Sequence, residues 1–266
     1  MAVAQASVPY FDMGRVVKRT FSVIGRNAVT FFLLALVPGL ALFTISWIAR
    51  SFPDRPAGFG QFSLTAIAWF VVTMIVYLFS LFILQAAVIH GTVADLNGKR
   101  APLLNCLMTG LSNLVPLFLI ALLVGIGTML GLILFVVPGI IVMVAWSVAV
   151  PARIVEHTGA FDSVSRSRDL TSGYRWSILG LFGAYFLLQL AIGMVYGVFI
   201  GVTMMTSADG LSAAVGVTKS LPYIAASSLV QMINAVIASA GIASIYYELR
   251  VLKDGIGPEA LAAVFD

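Results

Sequence analysis

Residues 63–89 run for 27 positions without a single charged side chain. That is long enough to cross a bilayer, which takes about 20 predominantly apolar residues in helical form. Five more runs qualify: Ala28–Ala49, Leu114–Val136, Ile140–Val155, Trp176–Met205 and Leu221–Tyr247. The third and fourth are separated only by a stretch containing "VPG". The runs are continuous rather than alternating apolar with polar, which argues against a β-barrel. The expected fold is therefore all-α: a polytopic membrane bundle of six transmembrane helices. Composition agrees, since only 10% of the 266 residues are charged against about a quarter in an ordinary soluble domain.

Where the charges sit sets the orientation. With both termini in the cytoplasm, the inner side carries Arg15, Lys18, Arg19, Arg26, Lys99, Arg100, Arg153, Arg166, Arg168, Arg175, Arg250 and Lys253. The outer side then carries Arg50, Arg55 and Lys219. A split of twelve to three fits the positive-inside rule and places the chain in a bacterial inner membrane. No cleavable signal is evident, so the first run is expected to act as an uncleaved anchor. The divisions expected are an interfacial helix over 1–27, a six-helix domain over 28–250 and a short cytoplasmic tail over 251–266.

Short amphipathic helices are expected along the cytoplasmic interface. In "FDMGRVVKRTFSVIGRN", residues 11–27, Arg15, Lys18, Arg19, Ser22 and Arg26 share one arc. Met13, Val16, Val17, Phe21, Val23 and Ile24 share the other, the pattern of a helix lying in the headgroup plane. Gly25, Gly110 in "PLLNCLMTGLSN" and Gly173 are expected to permit the turns into the following spans. Asp162, Arg166 and Asp169 have the spacing to pair on one helix face. Pro38 lies in the middle of the first span and is expected to kink it, and the second "VPG" is expected to turn span three into span four.

Gly193, Gly197 and Gly201 recur every fourth residue in span five, and Ala235, Ser239 and Ala243 do the same in span six. Small faces let backbones approach closely in lipid, so these two spans are expected to pack on each other, with a homodimer contact as the alternative.

No ionisable group stands at mid-depth, where it would mark a transport pathway. The interior polar residues are Ser80, Gln85, Gln189, Gln231 and Asn234, expected to bond between helices. Groups able to do acid–base or nucleophilic chemistry lie near the cytoplasmic surface: His90, Asp95, Cys106, Glu156, His157, Asp162 and Asp169. They show no metal-ligand spacing, and there is no GxSxG, P-loop or GxGxxG, so no metal, cofactor or catalytic residue is assigned. Glu156 and His157 are adjacent and point about 100° apart on a helix, a poor geometry for a shared substrate.

The segment "VVPGIIVMVAWSVAVPARIVEHTGAFDSVSRSRDLTSGYRWSILGLF" carries Pro138, Gly139, Trp146, Pro151, Glu156, Arg166, Ser167, Leu170, Thr171 and Gly173. With the closing "YYELRVLKDG" (Tyr246–Gly255) and "FSVIGRN", it resembles the multi-pass membrane domain of glycerophosphoryl diester phosphodiesterases and the YciC-type bacterial integral membrane proteins. The resemblance is good over 140–180 and 246–255 and looser elsewhere. It implies a six-helix inner-membrane fold and a cytoplasmic cluster of Glu156, Arg166 and Arg250. It implies no hydrolase activity, because that chemistry belongs in such proteins to a separate soluble domain with its own metal-binding carboxylates and histidines.

The function expected is non-catalytic: binding of anionic lipid, or of a membrane partner or second copy, through a basic collar of Arg15, Lys18, Arg19, Arg26, Arg166, Arg168 and Arg175. The alternatives are a small-molecule or lipid carrier using the interior amides, and an interfacial headgroup enzyme using Glu156 and His157. Nucleic acid is not an expected partner, since the cations gather at the membrane plane.

Overall fold

The computed structural model describes residues 10–50, 64–207 and 210–255. Arg55 and residues 256–266 of the expected tail lie outside the described residues. In chain order the helices are α1 (Met13–Arg26), α2 (Ala28–Arg50), α3 (Leu64–Leu96), α4 (Leu103–Ser112), α5 (Leu114–Leu134), α6 (Val136–Ala145), α7 (Ala149–Glu156), α8 (Ala160–Thr171), α9 (Arg175–Thr206), α10 (Leu211–Thr218) and α11 (Leu221–Asp254). There is no strand among the described residues, and six segments are long and apolar enough to cross a membrane. The protein is a multi-pass, all-α helical bundle. Helix α11 runs on past the expected boundary at Arg250 and ends at Gly255, which takes the left-handed conformation at φ 61°.

The core is built around α11, which packs on α2 and α3, and on α1. One buried cluster joins Val23 of α1, Phe31 and Leu34 of α2, Leu84 and Val88 of α3, and Met232 and Val236 of α11. The second joins Ile89 and Val93 of α3, Leu117 of α5, Val148, Ile154, Leu170 of α8, Ile178 of α9 and Tyr246 and Leu249 of α11. Both lie toward the end of the bundle where α1, α4 and α8 sit. Helix α5 turns back through the extended residue Phe135 into α6, forming a tight antiparallel hairpin. Its backbones nearly touch: a Cβ built on Gly131 would stand 2.8 Å from the Cα of Gly139.

The fourth apolar run is not one continuous helix. It breaks at 146–148, between α6 and α7. A break at this depth frees backbone groups that lipid cannot satisfy, and α8 supplies their partners. Ser167 Oγ donates to the Ala145 carbonyl at 2.8 Å and accepts from the Val148 N–H at 3.2 Å; Thr171 Oγ1 donates to the same carbonyl at 3.2 Å. Pro151, in the first turn of α7, brings no N–H that needs an acceptor. By contrast α2 remains helical through Pro38, which is buried beside Gly39, itself packed on the Met232 side chain of α11.

Several local expectations need correction. Only Gly173 of the three proposed turn glycines has a positive φ, at 89°. Gly25 lies within α1, and Asn27 makes the turn. Gly110 serves close packing, because a Cβ there would stand 2.7 Å from the Ile83 carbonyl oxygen. The expected contact of spans five and six through Gly193, Gly197 and Gly201 is not formed: a Cβ on any of the three would meet nothing within 4 Å. Bulky groups meet between α9 and α11 instead, with the rings of Tyr196 and Tyr223 5.9 Å apart, and these hold the backbones off each other. Ile178 is the one buried residue of α9. The small face of α11 serves other neighbours: Ala235 packs against the α2–α3 cluster, Ala243 belongs to the second cluster, and buried Ser239 donates to its own helix at Ala235 O, 2.8 Å.

Candidate functional site

The last turns of α11, "YYELRVLKD", place ionisable groups on opposite faces of one helix. Glu248 looks toward α1, and Tyr246 and Arg250 look toward α7 and α8. Residues 248 and 250 are about 200° apart around the helix, which explains the division.

Glu248 has a side chain 0% exposed. Arg15 Nη1 donates to its Oε1 at 2.8 Å, and Arg19 Nη1 donates to its Oε2. The Arg19 guanidinium also stands 5.1 Å above the centre of the Tyr247 ring. The two arginines are one turn apart on α1, so a single carboxylate receives both. Farther along α1, Arg26 donates through Nε and Nη2 to Asp95 at the end of α3, and Asn27 Nδ2 adds a bond of 2.9 Å to the same carboxylate. Hydrogen bonding to Asp95 raises the Arg26 pKa. Helix α1 thus has three faces, where two were expected. Val16, Thr20 and Val23 are buried; Met13, Val17 and Phe21 are exposed and apolar; and most of the basic arc turns to protein carboxylates rather than headgroups.

On the other face, Arg166 Nε of α8 donates to both oxygens of Glu156, at 3.1 and 3.0 Å, and its Nη2 to Asp254 Oδ2 at 2.5 Å. Arg250 Nε donates to Asp254 Oδ2 at 3.2 Å and stands 3.7 Å from Glu156 Oε1. The Tyr246 hydroxyl donates to Glu156 at 2.9 Å and accepts from Arg250 Nη1 at 3.2 Å. Burial works against the Arg166 charge, but the two carboxylates outweigh it and its pKa is raised. The structure brings Glu156, Arg166 and Arg250 together, and adds Asp254 and Tyr246. It does not bring Asp162 or Asp169 to Arg166. Both lie on the exposed side of α8.

Sequence reasoning passed over Glu248. A usable signal was present: it is an acidic residue two positions before Arg250 within an otherwise apolar helix end, opposite in sign to the arginine arc of α1. The remaining collar residues Lys18, Arg168 and Arg175 make no ion pair or hydrogen bond among the described residues, and the Arg175 Nε is buried without an acceptor. Next to it, Trp176 is 85% exposed.

The groups able to do chemistry are engaged or buried. Cys106 is fully buried and its thiol pKa is pushed up to about 11 by burial. Glu156 is held as above, and exposed His157 caps α7 in the left-handed conformation. There is no group of three metal-ligating side chains among the described residues. Of the interior polar residues, Ser80 and Gln189 bond within their own helices, to Tyr77 O at 2.7 Å and Tyr185 Oη at 2.5 Å, not between helices. A recess beside Gln231, Pro38 and Tyr77 holds about 10 Å³, barely the space of one water. A larger groove between α1, α9 and α11 is lined by apolar side chains.

No protein-family model, no curated protein and no solved structure matches this chain.

Proposed function

We propose that this is a non-catalytic inner-membrane protein, with both termini cytoplasmic, that binds anionic phospholipid headgroups through Lys18, Arg168 and Arg175. One observation carries the reading: the cations at this end fall into two sets. Arg15, Arg19, Arg26, Arg166 and Arg250 are committed to carboxylates of the protein. Lys18, Arg168 and Arg175 have no such partner, and a phosphate oxygen is the acceptor that the buried Arg175 Nε lacks. Exposed Trp176 is the kind of side chain that anchors at a headgroup interface. The similarity to the membrane domain of the phosphodiesterases belongs to this proposal as a fold and brings no hydrolysis with it.

Each cation at an anionic surface contributes about 1 kcal/mol, so three contribute about a hundredfold in affinity. Replacing Lys18, Arg168 and Arg175 together by glutamine is expected to remove the preference for phosphatidylglycerol over phosphatidylcholine, read by native mass spectrometry of purified protein exchanged into mixed micelles. An unchanged preference would reject the assignment. Replacing the committed residue Arg26 alone should leave the preference in place.

A further inference from the structure

The groove between α1, α9 and α11 has a volume of about 310 Å³. Val17 and Phe21 of α1 roof it, Phe182, Tyr185 and Leu188 of α9 form one wall, and Ala238 and Gly241 of α11 form part of the other. Its ends are shut. Met13 of α1 packs at Gly180 of α9 on the ionic side, and Tyr196 meets Tyr223 on the far side. It therefore opens sideways, toward whatever surrounds the spans. Its hydroxyls are engaged: Thr20 Oγ1 donates to Val16 O at 2.9 Å, and Tyr185 Oη accepts from Gln189 at 2.5 Å.

Size decides between occupants. The α11 wall from Ile237 to Ile245 is about 12 Å long at 1.5 Å per residue. A helix of that length, about 10 Å across, needs roughly 900 Å³, so neither a second copy nor a partner span fits into the groove. A hydrocarbon chain does. Charge adds to this. Lys18 follows Val17 and lies one turn from Phe21, so an unpaired cation stands at the edge of the roof.

We infer that the groove seats one acyl chain of a phospholipid from the leaflet at the ionic end, with its phosphate at Lys18. This rests on the lipid-binding reading and extends it from a charged surface to a defined site. Helix α1 acts as the clamp, and Glu248 holds that clamp in place through Arg15 and Arg19.

The test uses the full chain purified from native membranes in mild detergent. Wild type is expected to keep one phospholipid per protein after washing strips the loosely held lipid, and Ala238→Phe with Gly241→Leu should lower that occupancy at least tenfold. In parallel, wild type is reconstituted with phosphatidylglycerol bearing a photoactivatable acyl chain. Labelling is expected at Phe182, Tyr185, Leu188 and Ala238. Labelling spread evenly over Val195, Val198 and Val202, or filled variants that hold as much lipid as wild type, would overturn the site. So would a dimer that disappears on filling the groove, since it would make a second copy the occupant. The two proposals fail separately. Loss of lipid on filling the groove with headgroup preference unchanged in the glutamine triple variant leaves the groove and removes the collar, and the reverse leaves only the collar.

Discussion

Replacing Arg15 and Arg19 together by glutamine is expected to destabilise the folded protein by about 3–5 kcal/mol, the cost of stranding a buried charge. Glu248 is fully enclosed, and these two guanidinium groups are the charged partners its carboxylate has. The reverse change should cost less. In Glu248→Gln the arginines left behind are 44% and 27% exposed, so they can turn to water. Its cost is set by weakened hydrogen bonds, about 1–2 kcal/mol. The triple variant, with no charge at any of the three positions, should recover part of the double variant's loss. Equilibrium unfolding in mixed micelles checks this order. Equal losses for Glu248→Gln and for the arginine pair would show that the burial of Glu248 does not set the energetics.

The second large effect concerns Arg250, whose side chain is 11% exposed. It and Arg166 face Glu156 and Asp254, two charges of each sign. Arg250→Met leaves two carboxylates to one guanidinium and removes the donor to Tyr246 Oη. The expected loss is about 2–3 kcal/mol, less than for a fully buried pair because Glu156 and Asp254 retain some water. Adding Asp254→Asn restores the balance and should recover about half of the loss. If Asp254→Asn deepens it instead, Asp254 acts as a local hydrogen-bond partner and not as part of a balanced network. Tyr246→Phe alone should cost about 1 kcal/mol, the worth of one hydroxyl in the chain from Arg250 to Glu156.

The bundle was legible because its signal is local. A run such as 63–89 can do little else than span, and the arc of α1 follows from a 3.6-residue period. What could not be read depended on distant segments. The burial of Glu248 requires α1 to dock more than 220 positions away in sequence, and nothing near "YYELRV" announces that. The basic arc of α1 looked like a headgroup surface because its carboxylate partners, Asp95 and Glu248, sit at the ends of other helices. The break at 146–148 falls in an apolar stretch without glycine, and its stabilising hydroxyls, Ser167 and Thr171, belong to α8. Pro151 was the one local hint. The glycine face of α9 shows the limit of small-residue spacing: it says that close approach is possible, not that a neighbour comes. In the described structure the neighbour is held off by Tyr196 and Tyr223.

Everything proposed at the ionic end requires that α1, α4 and α8 share one side of a membrane crossed six times. Single cysteines introduced in sealed vesicles, with buried Cys106 replaced by alanine, test that directly. Arg100→Cys and Ser165→Cys should react with an impermeant maleimide from the same side, and Ser220→Cys only from the other. Labelling of Arg100→Cys and Ser165→Cys from opposite sides, or of all three from one side, would contradict it.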